Sequence, residues 1–210
     1  MPICAHRVAK PHTLIGSPKY GQCTRYLAGL KPGQKATVSI KPSVMKLPPD
    51  SRKPLILAGL GTGAAPFRAF LQYRAWEAAQ GIPIGPIYYY FGSRHQSQEY
   101  LYGEEIEAFI EAGVITKAGL AFSRDGPRKV YIQHKMDEDG DVLAKSLLES
   151  KEEGVGGGVF YLCGPTWPVP DVYEALVSAL VRSGTGFNVG SAGEYLEGLK
   201  EEERYVLEVY

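Results

Sequence analysis

The stretch Pro54-Leu-Ile-Leu-Ala-Gly-Leu-Gly-Thr-Gly-Ala-Ala-Pro-Phe67 decides the fold. Its apolar residues 55–58 suit a buried strand, and they run through a glycine turn into a helical pattern. Gly59, Gly61 and Gly63 remove side chains that would hold backbone N–H groups away from a pyrophosphate. Pro66 suits the first turn of a helix, whose N-terminal end attracts anions. Because Pro66 stands where the usual dinucleotide fingerprint has a third glycine, the turn by itself fits an ordinary strand–turn–helix corner equally well.

Working outward, apolar runs at 55–58, 87–91, 119–122, 159–163 and 205–209 read as strands, several too continuously apolar to be anything but buried on both faces. Between them, helical patterns at 67–80, 100–112, 131–150 and 171–183 each end near a glycine or carry one apolar face. The alternation predicts an α/β fold, a doubly wound five-stranded parallel sheet that binds ligands beyond the carboxyl ends of its strands. Residues 1–53 hold no such unit. There, Ala36, Val38 and Ile40 alternate with polar neighbours, which predicts a strand of an antiparallel sheet over 35–41. The proline-bearing residues 42–53 read as a linker, so the boundary falls between domains at 1–53 and 54–210. The glycines at 154–158 read as a surface connection, and Glu201–203 as a solvated helix face.

With 23 basic and 23 acidic residues among 210, no global field recruits nucleic acid or an anionic membrane. The longest apolar run is shorter than the ~20 residues of a membrane span, and residues 1–7 open no secretory pattern, so a cytoplasmic protein is expected. Three cysteines without Cys-x-x-Cys spacing and four histidines without ligand spacing argue against metal.

Function therefore rests on the strand tips. The second tip, Gly92-Ser93-Arg94, lacks the acid that would accept from a ribose 2′-hydroxyl. The third is Ser123-Arg124, followed by Lys129, Tyr131 and Gln133. Hydroxyl, guanidinium, ammonium and amide together suit a phosphate dianion, which selects NADPH over NADH. At the fourth tip, Gly164 opens space beside Cys163, where a flat nicotinamide ring could rest. Tyr210 after the last strand is either a cover for the sheet or a lid over a planar cofactor.

Gly-x-Gly-Thr-Gly-Ala-Ala-Pro-Phe, Phe91-Gly-Ser-Arg-His with Tyr100-Leu-Tyr-Gly-Glu-Glu, Ala121-Phe-Ser-Arg-Asp, Lys129-Val-Tyr-Ile-Gln-His-Lys and Tyr161-Leu-Cys-Gly occur in one order. So ordered, they resemble the NADP-binding domain of the diflavin reductases, built on a ferredoxin–NADP reductase core, over about residues 20–210. Cys163-Gly-Pro-Thr-Trp-Pro-Val-Pro-Asp-Val-Tyr and the final tyrosine are most similar to the flavoprotein (alpha) components of NADPH-sulfite reductases. The resemblance implies that Gly61, Thr62 and Gly63 meet the NADPH pyrophosphate and ribose. It places Ser123, Arg124, Lys129, Tyr131 and Gln133 at the 2′-phosphate, with Arg94 nearby. Cys163 would flank the nicotinamide C4, Glu208 would stabilise charge during hydride transfer, and Tyr210 would stack on the flavin. Gly21, Cys23 and Thr24 resemble the FAD-diphosphate motif, at the start of a short helix over 24–30.

The family's Arg-x-Tyr-Ser FAD motif, the preceding barrel strands, the connecting domain and any FMN domain are missing from the sequence. Residues 1–53 are thus expected to be a remnant of an antiparallel FAD-binding barrel, with FAD weakly held or absent. The function implied is hydride transfer from NADPH to FAD, with electrons passing through FMN to a sirohaem and iron–sulfur subunit that reduces sulfite to sulfide. Two other readings stand beside it: a nucleotide-binding module without catalysis, and an electron donor of the cytochrome P450 reductase type.

Overall fold

A computed structural model describes residues 21–148 and 157–210. Two compact units divide the chain, Met1–Pro42 and Ser43–Tyr210.

In the first unit, α1 (Gln22–Ala28) follows Gly21 and buries none of its residues. Residues 35–41, read above as a strand, form none, and Val38 and Ile40 lie exposed. An alternating pattern makes a strand only where another strand takes its hydrogen bonds, and no described residue of this unit supplies one.

The second unit carries the sheet. Its strands are β1 (Leu55–Leu60), β2 (Ile87–Ser93), β3 (Lys117–Phe122), β4 (Val159–Gly164) and β5 (Tyr205–Val209), all parallel, in the order β3-β2-β1-β4-β5. Side chains alternate across the sheet. Leu55, Leu57, Tyr89, Phe91 and Tyr161 pack on one face against Phe67, Phe70 and Leu71 of α2 (Ala64–Ala79) and Ile106 of α4 (Gly103–Glu111). Ile56, Ala58, Tyr88, Tyr90, Phe160 and Leu162 pack on the other, against α5 (Ile132–Glu138), α6 (Gly140–Leu147), α7 (Val169–Arg182) and α8 (Val189–Glu201). Burial on both faces is why the central strands β1, β2 and β4 read as apolar runs, whereas the edge strands β3 and β5 are partly exposed.

Local chemistry moves several boundaries. The helix expected over 100–112 starts at Gly103, because α3 (Gln96–Glu99) precedes it and Tyr102 turns into the left-handed region at φ 61°. The single helix expected over 131–150 breaks at Asp139, whose buried carboxylate accepts from the Tyr90 hydroxyl at 2.8 Å and pairs with Lys117. Gly158, placed above in a surface connection, is buried, and its N–H donates to Ser146 O at 2.9 Å; residues 154–156 of that run lie outside the described residues. Residues 43–53 are docked rather than loose: Met45 and Leu47 pack on the core, Lys46 O accepts from the Tyr161 hydroxyl at 2.6 Å, and Pro48 O accepts from Arg74 at 3.2 Å.

Candidate functional site

The chain leaves β1 toward β2 and β3, then returns to place β4 on the other side of β1. The sheet therefore changes direction between β1 and β4, where doubly wound folds open a crevice. The glycine turn lies in that crevice as a single 3₁₀ turn, Gly61–Gly63, leading into α2. Gly61 sits at φ 55° with open space where a Cβ would point, so the backbone there is bare to a ligand. Gly63 answers a different need. A Cβ on it would stand 1.9 Å from the Cys163 carbonyl oxygen, so the turn packs directly on the tip of β4. That close approach brings the expected phosphate turn and the expected nicotinamide cysteine together.

At the β4–β5 tip, Cys163 pairs in register with Gly59 on one side and Glu208 on the other. Its thiol is buried. Burial, seconded by the Glu208 carboxylate, pushes it above its ordinary value, so it stands as a protonated, apolar-faced neighbour. Tyr210 is held by its backbone: its N–H donates to Gly164 O at 3.1 Å, and its carbonyl accepts from Thr166 N–H at 3.2 Å. The ring is 65% exposed, and its hydroxyl bonds the Thr62 hydroxyl across the mouth of the glycine turn.

At the β2–β3 tip, Ser123 N–H donates to Ser93 O at 3.0 Å and Arg124 N–H to Arg94 O at 2.9 Å, which fixes the loop over 123–131 beside β2. Arg94, expected near the 2′-phosphate, is engaged by Glu99, which accepts from its backbone N–H at 2.9 Å and its Nε at 2.8 Å. Hydrogen bonds from Arg94 hold the Glu99 carboxyl below its ordinary value and raise Arg94 in return. The only carboxylate of loop 123–131 is Asp125. It is taken up at the start of α3, accepting from Gln96 N–H at 2.7 Å and contacting His95 Nδ1 at 2.8 Å. Among the described residues, none bonds or pairs with the side chains of Arg124, Arg128 or Lys129. Three unneutralised cations therefore share one exposed loop.

Tyr131 closes that loop as the residue capping α5; its backbone N–H donates to His134 Nδ1 at 3.1 Å. Gln133 turns away, donating to Asp171 of α7 at 3.0 Å. Gly21, Cys23 and Thr24 lie in the other unit, at the start of α1, with Cys23 exposed. Two residues here escaped the sequence reading. Arg128 lies between two of the quoted motifs, directly before Lys129, as one more loop cation, and Trp167, inside the stretch quoted from Cys163 and 62% exposed, meets the Tyr131 ring. A tryptophan only four residues past Cys163, in the turn after an expected strand, was the available signal for the second. Among the described residues, no group of three or more His, Cys, Asp or Glu side chains is placed to hold a metal, and no helix is long and apolar enough to cross a membrane.

A glycine turn at the switch point of a doubly wound sheet, flanked by a buried tip on one side and a basic loop on the other, defines a nucleotide-binding α/β domain. The chain belongs to the oxidoreductase NAD-binding domain family, which it matches over residues 56–168. It is 47% identical over 199 residues to the "Sulfite reductase [NADPH] flavoprotein component" of Saccharomyces cerevisiae, covering 93% of this chain and 18% of that protein. It is 49% identical over 196 residues to the "Probable sulfite reductase [NADPH] flavoprotein component" of Schizosaccharomyces pombe, covering 93% and 19%. It is 34% identical over 215 residues to the "NADPH--cytochrome P450 reductase" of Bos taurus, covering 99% and 30%. The chain thus spans about a fifth of the length of the two fungal relatives.

Proposed function

We propose that this chain binds NADPH across the carboxyl edge of its sheet and presents the nicotinamide to a flavin. The observation that carries this reading is the loop over 123–131, where Arg124, Arg128 and Lys129 have no partner among the described residues and the one acid is occupied elsewhere. Unpaired cations at a strand tip favour a bound dianion, and the 2′-phosphate is the group that separates NADPH from NADH.

In this reading Ser123, Arg124, Lys129 and Tyr131 hold the 2′-phosphate end, and Gly61, Thr62 and Gly63 take the pyrophosphate and ribose. Arg94 and Gln133 join the phosphate end only by leaving Glu99 and Asp171. Bound NADPH supplies a hydride. Cys163 offers a neutral thiol against the reacting edge of the ring, and Glu208, its neighbour in register, places a carboxylate where positive charge develops. Tyr210 covers the mouth of the site and gives way when the ring enters.

The flavin acceptor is read from the fungal relatives, both of which are called flavoprotein components. Gly21, Cys23 and Thr24 are the proposed contacts to the FAD diphosphate, and they are few, so FAD is held weakly by this chain. The further path, through FMN to a sirohaem and iron–sulfur subunit that reduces sulfite, belongs to a whole protein of that kind. The two relatives matched at 47% and 49% are both named as sulfite reductase components, which supports it over a cytochrome P450 acceptor.

The test is a titration of the purified chain with NADP⁺ and NAD⁺, followed by NADPH-dependent ferricyanide reduction with FAD supplied. Preferential NADP⁺ binding with FAD-dependent turnover is the expected result. Binding without turnover leaves a nucleotide-binding module, and equal binding of both nucleotides contradicts the selection proposed here.

A further inference from the structure

The loop over 123–131 carries one acid among its three cations. Asp125 follows Arg124 directly and precedes Arg128 and Lys129 by three and four residues. A carboxylate so placed in an exposed loop has opposite charges on its own segment, and pairing with them would cancel the field that a phosphate dianion needs. The structure turns it elsewhere. One oxygen of Asp125 accepts from the backbone N–H of Gln96 at 2.7 Å, and the other meets His95 Nδ1 at 2.8 Å. An ionised carboxylate only accepts, so Nδ1 carries the hydrogen of that bond. The Gln96 N–H, followed by the His95 ring, holds the Asp125 carboxyl below its ordinary value. The negative charge is therefore present at neutral pH, and it has been placed, not removed.

Glu99, at the end of α3, is disposed of within the same segment, on the backbone N–H and Nε of Arg94. Both acids of this corner are thus engaged by residues 94–96, and the loop cations are left to themselves. Main-chain bonds alone already join the loop to β2, from Ser123 N–H to Ser93 O at 3.0 Å and from Arg124 N–H to Arg94 O at 2.9 Å. The second of these sets the residue before Asp125 beside the residue before His95, which brings the carboxylate and the imidazole together. What the imidazole adds to a loop so anchored is control over where the carboxylate points. Without it, Asp125 keeps a single backbone donor and is free to swing to Arg124, Arg128 or Lys129.

We propose that His95 is a positioning residue for nucleotide selection: by holding the Asp125 carboxylate at the start of α3, it keeps that charge off Arg124, Arg128 and Lys129 and leaves these cations to a bound 2′-phosphate. The proposal rests on the NADPH reading above and deepens it, since His95 acts through Asp125 and not on the nucleotide. An internal anion competes with an external one for the same cations. The clamp decides that competition in favour of the ligand.

The unmodified chain, His95→Ala, His95→Asn, Asp125→Asn and the double variant His95→Ala with Asp125→Asn are titrated calorimetrically with adenosine 2′,5′-bisphosphate and adenosine 5′-diphosphate. The ratio of the two affinities is the readout. His95→Ala is expected to lower that ratio about tenfold, because the released carboxylate takes up one charge-assisted partner of the phosphate. His95→Asn, which still offers an N–H to Asp125, is expected to keep most of the preference. Asp125→Asn leaves no charge to be clamped and is expected to keep it too, and in the double variant the preference lost in His95→Ala should return. A histidine that merely staples the loop predicts a different pattern, in which the double variant stays as poor as His95→Ala or Asp125→Asn is damaged alike. That pattern, or an unchanged ratio in His95→Ala, overturns the clamp and leaves the NADPH reading standing, because the unmodified chain still prefers the bisphosphate. An unmodified chain without that preference overturns both.

Discussion

The two ends of the crevice are built on opposite plans. At the β3 tip the loop over 123–131 presents Arg124, Arg128 and Lys129 without partners among the described residues, as though waiting for charge. At the β4–β5 tip everything is already in contact: the glycine turn lies on Cys163, and Tyr210 bonds Thr62 across the mouth. An open cationic loop lowers its free energy when an anion arrives. A closed tip has to lose contacts before a ring can enter. Under the proposed reading, affinity is gathered at the cationic loop and spent in part on opening the closed tip, which is how binding energy far from a reacting centre contributes to positioning.

The closed end breaks most severely at Gly63. Gly63→Ala drives a methyl into the Cys163 carbonyl and is expected to cost about 3 kcal/mol or more. Gly61→Ala, with open space but a left-handed backbone, is expected to cost only about 1 kcal/mol. Urea unfolding of both variants checks the order, and a Gly61 variant as damaged as Gly63→Ala would show that the turn is not packed as described.

Next in size is the open end. Arg124→Ala is expected to weaken NADP⁺ roughly ten- to a hundredfold, the loss of one charge-assisted partner, and to leave NAD⁺ nearly unchanged. Arg94→Ala, whose side chain Glu99 already holds, is expected to cost far less. Calorimetry with both nucleotides on both variants sharpens or dissolves the difference between a free cation and a paired one.

Cys163 should alkylate at least about tenfold more slowly than Cys23 at neutral pH, because the thiolate is the reactive form and burial disfavours it. Raising the pH should close the gap. The sign for stability follows: a thiol whose value is raised on folding stabilises the fold below its unfolded value, and the contribution fades as pH climbs through the folded one. Peptide-level mass spectrometry after timed iodoacetamide treatment reads the rates, and equal rates would place Cys163 outside a buried tip.

The smallest effect belongs to the closing contact. Tyr210→Phe keeps the ring and removes the hydroxyl that reaches Thr62, and is expected to tighten nicotinamide mononucleotide about threefold, within the range of one neutral hydrogen bond. Fluorescence or calorimetric titration with that fragment suffices. Weaker binding in the variant would mean that the hydroxyl serves the ligand instead of the closed state.

The two ends also differed in how far the sequence disclosed them. All five strands and the glycine turn are legible; β1, β2 and β4 are buried on both faces and write themselves as short apolar runs, while the edge strands β3 and β5, only partly buried, still carry enough apolar residues to be read. The basic loop is equally legible, since its residue types lie within nine consecutive positions. What the sequence hid were pairings across the chain. Nothing local says that Glu99 takes Arg94, that Asp171 takes Gln133, or that Tyr210 reaches Thr62. Helix α8 was obscured by Gly190, Gly193 and Gly198, each costing about 1 kcal/mol of helix propensity. The reciprocal cap between Asn188 and Ser191 and the spacing of Ala192, Leu196 and Leu199 were the signals that could have revealed it. The alternating run at 35–41 erred in the other direction, because a period of two describes a strand only if a partner is supplied.

The central claim is that the open cationic loop selects a 2′-phosphate independently of the closed tip. Comparing adenosine 2′,5′-bisphosphate with adenosine 5′-diphosphate by calorimetry on the unmodified chain tests it most directly, since neither ligand carries a nicotinamide ring. The bisphosphate is expected to bind at least about tenfold tighter, with the advantage shrinking as salt is raised, because exposed charges are screened within about 10 Å at 0.1 M. Equal affinities, or an advantage indifferent to salt, would contradict it.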